Sequence, residues 1–182
     1  MRIGIDLDDT ICKTTEIIHN RIDQFASKHR LNPLDVMNDE YLKQEFFDEY
    51  LEDVYTNVEV KKNVVDVLKR LRSKGNKIYI ITARNNISSK NVTDVEKLTL
   101  DWLKKNNIEI DEIIISAYGD GKASACRTHK IDLMIEDNPY NFRIISQTGT
   151  TCLLFDDHGR YEMKDHYMST WNDIEKYIER NY

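Results

Sequence analysis

The residues best equipped for chemistry stand at the front of the chain, in Ile5-Asp6-Leu7-Asp8-Asp9-Thr10. Carboxylates this close repel one another unless a cation or a proton comes between them, so Asp6, Asp8 and Asp9 point to a bound metal. A calcium loop of the EF-hand kind also opens on alternating acids, but it requires Gly and Glu where this chain has Ile11 and Ile17. Three more groups of reactive type follow: Thr82, Lys122, and the pair Glu136-Asp137. Together these types suit phosphoryl transfer. A carboxylate approaching a phosphate dianion to about 4 Å meets some 8 kcal/mol of repulsion at an effective dielectric of 20. That is roughly six powers of ten in rate. A divalent cation and a lysine can offset it, while a hydroxyl and backbone amides orient the phosphate oxygens.

The elements that must position these groups are legible in the apolar pattern. Ile3, Ile5 and Leu7, then Ile78 to Ile81, Ile113 to Ile115, Ile131 to Ile135 and Cys152 to Phe155 are short apolar runs, the mark of strands buried in a parallel sheet. Between them lie helical patterns, including Val64-Val65-Leu68-Leu71 stopped by Gly75, Val95-Leu98-Trp102, and a segment entered at Pro139. Thr170 with Asp173 reads as the start of a last helix carrying Trp171, Ile174 and Ile178. The alternation predicts a Rossmann-like, three-layer α/β fold with a five-stranded parallel sheet. Asp6/Asp8, Thr82, Lys122 and Glu136/Asp137 then fall at strand ends or adjacent helix starts, where open sheets place their ligand crevice. Lys122, at such a helix start, shares it with free N–H groups that favour an anion.

One connection is too long for a crossover. Seventy-two positions separate Thr10 from Thr82, whereas a βαβ crossover needs a dozen or more. A helix over 61–74 serves the crossover, and residues 14–57 are expected to form a small helical cap inserted after the first strand. The core then comprises 1–13 and 58–182. The cap segment carries Tyr41, Phe46, Phe47, Tyr50 and Tyr55, an aromatic set at helical spacing that reads mostly as cap core, with one or two left to meet a ligand.

The chain has 182 residues, with 26 Lys plus Arg against 32 Asp plus Glu, and a net charge of −6. No basic block is present, which argues against long nucleic acid as a partner. The apolar runs are too short to span a bilayer, and no apolar leader precedes the first strand. Three cysteines without CxxC spacing argue against a disulfide framework and fit a reducing compartment. The expectation is a cytoplasmic protein with no membrane partner, acting as a monomer or homodimer.

The four groups in this order closely resemble the motifs of the haloacid-dehalogenase-like phosphatases. Asp6-Leu7-Asp8-Asp9-Thr10 is similar to their first motif, DxDx[TV], and Ile81-Thr82-Ala83-Arg84 to the second. Lys122 matches the third, fourteen positions before Glu136, and Ile135-Glu136-Asp137-Asn138-Pro139 resembles the fourth, with Glu136 where Asp or Gly is usual. The small cap and the Glu-Asp-Asn-Pro ending look most like the deoxyribonucleotidase (5′-nucleotidase, class C) branch and its bacterial relatives.

The resemblance implies a Mg²⁺-dependent phosphomonoesterase acting on a small phosphorylated metabolite, plausibly a nucleoside monophosphate. Asp6 would be the nucleophile. Asp8 would be the acid and base, with a pKa raised by Asp6, Asp9 and the phosphate. Thr82 and Lys122 would hold phosphoryl oxygens. Mg²⁺ would lie on Asp6, the Asp8 carbonyl and Asp137, with Glu136 either a ligand or just behind. Arg84 is offered equally to the substrate phosphate and to a surface acid. Lys130 lies too near Glu136 to replace Lys122. A phosphotransferase or phosphomutase would use the same residues, as would a silent metal-binding relative, although the latter has no need of intact Asp6, Asp8 and Lys122. A phospho-accepting receiver domain would need an acceptor Asp after the third strand, where the chain has Ser116 and Ala117.

Overall fold

The computed structural model describes residues 1–162 and 164–182. Along the chain run β1 (Arg2–Ile5), α1 (Thr14–His29), α2 (Pro33–Asn38), α3 (Glu40–Asn57), α4 (Val64–Ser73), β2 (Lys77–Ile81) and α5 (Val95–Lys105). There follow β3 (Glu112–Ile114), α6 (Asp120–Thr128), β4 (Leu133–Glu136), α7 (Pro139–Ser146), β5 (Thr151–Phe155), β6 (Tyr167–Met168) and α8 (Trp171–Asn181). The sheet is wholly parallel, in the order β3-β2-β1-β4-β5-β6. Among the described residues it has six strands where the sequence pattern predicts five. The sixth is only two residues long, too short for a period-two signal, and it hangs on the edge through Phe155 and Met168.

Strand alternation sorts the core into two layers. Ile3, Ile5, Ile78, Ile80, Leu133, Ile135, Leu153 and Phe155 share one face with the apolar sides of α4 and α8 and with Trp102 of α5. Tyr79, Ile81, Met134 and Cys152 face the other way, onto α6 and α7. Gly4 lies on that second face, where a Cβ would meet the Met134 sulfur at 2.8 Å. The three cysteines are buried and unpaired. Among the described residues no helix is long and apolar enough to cross a membrane.

The segment α1–α3 packs a core of its own around Ile22, Phe25, Ala26, Val36 and Phe46. Phe46 meets Phe25 edge-on at 5.8 Å and stacks on Tyr50 at 5.6 Å. A short neck joins it to the sheet: the Lys13 N–H donates to the Glu59 carbonyl at 2.9 Å, and the Lys61 N–H to that of Ile11 at 2.8 Å. Two buried tryptophans pin the neck, Trp171 on the Thr10 carbonyl (3.1 Å) and Trp102 on the Val58 carbonyl (2.9 Å).

Candidate active site

Register alone brings the first acids together. Ile5 pairs with Ile135, and the Asp6 N–H continues the ladder to the Ile135 carbonyl at 2.9 Å. Asp6 therefore leaves β1 beside Glu136 leaving β4. Asn138 then caps α7 by accepting from the Tyr140 and Asn141 N–H groups, with Pro139 in the first turn, and this fixes Asp137 between strand and helix. Lys122 sits in the first turn of α6, entered through Gly119 at a positive φ of 53°. Its ammonium reaches back between Asp6 and Glu136, donating to both, the latter at 2.7 Å, and is 1% exposed. The second Glu136 oxygen accepts from the Asn138 N–H (3.2 Å) and the Asn141 side chain (3.1 Å). Asn141 also holds the Gly119 N–H at 2.9 Å, tying the two helix starts together.

Asp6, Glu136 and Asp137 bring carboxylate oxygens within 4.8 Å of one another. Burial pushes Asp6 well above the ordinary carboxylate range; Lys122 opposes the rise, while Glu136, Asp137 and Asp8 add to it. Burial, then Glu136 and Asp9, push Asp137 up to about 7. Lys122 stays protonated against its own burial because Asp6 and Glu136 face it. Thr10 lies 3.5 Å from the second oxygen of Asp6.

Asp8 sits in different company. Arg84, after the end of β2, grips it with Nε at 3.1 and 3.0 Å and Nη2 at 2.7 Å, and Thr14 at the start of α1 donates to the same carboxylate at 2.6 Å. Burial would raise Asp8, but the charge and hydrogen bonds of Arg84, with Thr14, take it below its ordinary value. Without a bound phosphate this is the reverse of the expected elevation, because the charge and hydrogen bonds of Arg84 outweigh what burial adds. Arg84 itself is neither at the surface nor turned to an open crevice: its side chain is 0% exposed. Thr82 is buried at the end of β2, with its hydroxyl accepting the Arg84 N–H at 3.2 Å. Lys130 is exposed, and the loop after β5 brings Arg160 to 3.9 Å from Asp137.

No protein-family model matches the chain. A haloacid dehalogenase-like family hydrolase from Streptococcus pneumoniae superposes with a TM-score of 0.74 at 15% identity, covering 97% of each chain. A HAD family hydrolase from Deinococcus radiodurans, solved with bound phosphate and sodium, does so at 0.68 and 12% identity, over 98% of this chain and 95% of its own. The chain has the haloacid-dehalogenase-like fold. In sequence, a "putative nucleotidase" of Halalkalibacterium halodurans is 25% identical over 156 residues, 81% of this chain and 74% of that protein.

Within this haloacid-dehalogenase-like frame the donor set fits a hard divalent cation. Three carboxylates converge there, with Lys122 between Asp6 and Glu136 and the half-exposed Arg160 at 3.9 Å from Asp137, and oxygen donors are what Mg²⁺ takes. Both Glu136 oxygens are already engaged, which leaves Asp6 and Asp137 the better placed donors. The sequence reading missed Thr14, Tyr55 and Asn141 as members of the site. Asn141 is signalled by the helix cap Asn138 directly after Asp137; the roles of Thr14 and Tyr55 leave no trace in spacing.

Proposed function

We propose that this chain is a Mg²⁺-dependent phosphomonoesterase that hydrolyses a small phosphorylated metabolite, a nucleoside monophosphate, through a phosphorylated Asp6. The observation that carries the reading is the pairing of unlike carboxylates at one strand end: Asp6 against Lys122 and the acid cluster, Asp8 apart on Arg84. The nucleotide assignment is supported by the relative whose name places it among nucleotidases.

Asp6 attacks phosphorus, and the bond to the leaving oxygen breaks as Asp8 gives that oxygen a proton. The approaching dianion raises Asp8 from its depressed resting value, so the proton is present when it is needed. Asp8 then takes a proton from water, which attacks the phosphoaspartate, releasing inorganic phosphate and restoring Asp6. Thr82 and Lys122 hold the phosphoryl oxygens. Asp6, the Asp8 carbonyl and Asp137 would hold Mg²⁺, which would supply charge neutralisation to the phosphoryl group and favour the ionised form of Asp6.

The test is phosphate release from a panel of nucleoside monophosphates and sugar phosphates, with Mg²⁺ or chelator, alongside Asp6→Asn. Metal-dependent release lost in Asp6→Asn supports the reading, and preference for nucleotides supports the substrate. Transfer to another hydroxyl in place of water moves the assignment to a phosphotransferase. Absence of release from the whole panel removes it.

A further inference from the structure

The Arg84 guanidinium is enclosed by four residues from three segments. Nε and Nη2 hold Asp8, Nη1 lies 3.4 Å from the Thr99 hydroxyl of α5, and Nη2 is 3.8 Å from the Cys12 sulfur. Its plane lies 3.8 Å from the ring centre of Tyr55, in the last turn of α3. With every nitrogen engaged and no exposed surface, this side chain has one available position. A forked donor held that firmly fixes the plane of the carboxylate it grips.

The two oxygens of Asp8 are also unequal. Oδ1 receives Nε (3.1 Å), Nη2 (2.7 Å), Thr14 (2.6 Å) and a distant Cys12 thiol (3.9 Å); Oδ2 receives Nε alone, at 3.0 Å. A carboxylate oxygen has about two lone pairs, so Oδ1 is saturated and Oδ2 keeps one free. Asp8 is 29% exposed where Arg84 is 0%, so the carboxylate faces outward from a closed support.

We propose that Arg84 is a positioning residue for Asp8, itself braced by Tyr55, and that it presents Oδ2 as the oxygen that exchanges the proton with the leaving group. Thr14 and Tyr55 belong to α1 and α3, so the helical insert sets where the proton is delivered. This assignment rests on Asp8 being the acid of the proposed reaction, and it takes Arg84 out of the phosphate-binding set.

Leaving-group dependence tests it, because a good leaving group departs without a proton and a poor one does not. Single-turnover release of the alcohol isolates the first step, measured for p-nitrophenyl phosphate and for the nucleoside 5′-monophosphate turned over fastest in the panel above. Arg84→Lys keeps the charge and loses the fork. We expect it to slow the nucleotide by about 10²–10⁴-fold, the usual contribution of a positioned acid, and p-nitrophenyl phosphate by less than about tenfold. Thr14→Val and Tyr55→Leu, milder changes that keep the fold if Arg84→Lys does not, are expected to show the same selectivity at smaller size. Asp8→Asn separates the two levels of the argument. If it slows both substrates alike, Asp8 is not the acid and the underlying reading fails. If it is selective while the Arg84, Thr14 and Tyr55 variants slow both substrates alike, or raise only KM, Arg84 does not position the acid and this proposal falls.

Discussion

Asp6 and Asp8 are separated by one leucine, yet the fold treats them in opposite ways. Asp6 turns into a buried cluster where carboxylates outnumber cations, and its proton is held more tightly than usual. Asp8 turns to a guanidinium that matches its charge and shape, and its proton is held less tightly. Burial penalises both charges. What differs is the count of partners: one lysine between Asp6 and Glu136, with a distant Arg160 for Asp137, against one arginine for Asp8 alone. The first arrangement lacks positive charge, which suits a cation; the second is already balanced, which suits an acid held in one orientation.

The largest effect expected from breaking this contrast is on Asp6. Asp6→Asn removes the nucleophile and one donor of the cluster, and phosphate release should fall by about three powers of ten or more, read in the same assay under saturating Mg²⁺. Next is Lys122→Met, which leaves buried acids with no cation among them. Breaking a buried pair in this way costs about 3–5 kcal/mol, measured by urea unfolding in chelator. Mg²⁺ should restore much of the loss, because an ion that binds only the folded state stabilises it. A Lys122→Met protein as stable as the parent in chelator would mean that the cluster does not hold its charges as described.

The pH dependence of stability sharpens the same comparison. Asp137 lies at about 7 in the folded chain against an ordinary 3.8, and Asp6 is raised as well. Between these values the folded state binds more protons than the unfolded one, so stability falls as pH rises from about 4 to 7. The Asp137 contribution is roughly 4 kcal/mol at most. Asp8 has the opposite sign: its contribution is present above the ordinary value and is lost only as pH falls through its lower folded one. Urea midpoints in chelator should therefore decline across that window, and Mg²⁺ should flatten the slope. A rising slope there would place Asp137 and Asp6 with Asp8.

Much of this was legible in the sequence, for a physical reason. Strands buried on both faces must be apolar throughout, and acids or a lysine at their ends stand out against that background, so β1 to β5 and the line of Asp6, Thr82, Lys122 and Asp137 could be read together. Strand β6 could not, since two residues carry no period. The partner of Asp8 could not either. Arg84 is 76 positions away, and nothing in Thr-Ala-Arg says which way its side chain turns. The expectation that Asp8 is raised counts its chain neighbours Asp6 and Asp9 with the substrate phosphate; the neighbour that lowers it here comes from the loop after β2. Tyr55 is the same case: its helical spacing says that it is buried, but not that its ring lies on a guanidinium.

The smallest effect belongs to a second forked pair. Arg70 holds Glu175 through Nε and Nη2, both at 2.7 Å, much as Arg84 holds Asp8. The difference is the medium. Arg70 is 49% exposed where Arg84 is 0%, so water hydrates its guanidinium and salt screens the charge. Geometry alone would rank the two pairs as equals. Solvent ranks them apart through the arginines, because the enclosed Arg84 has no water to replace Asp8, whereas the exposed Arg70 does. Arg70→Ala should accordingly leave turnover unchanged and move the urea midpoint no further than the scatter between repeats, at low salt as at high. A clear loss of stability at low salt would show that the exposed fork matters as the buried one does, and that the exposure of the arginine does not rank the two pairs.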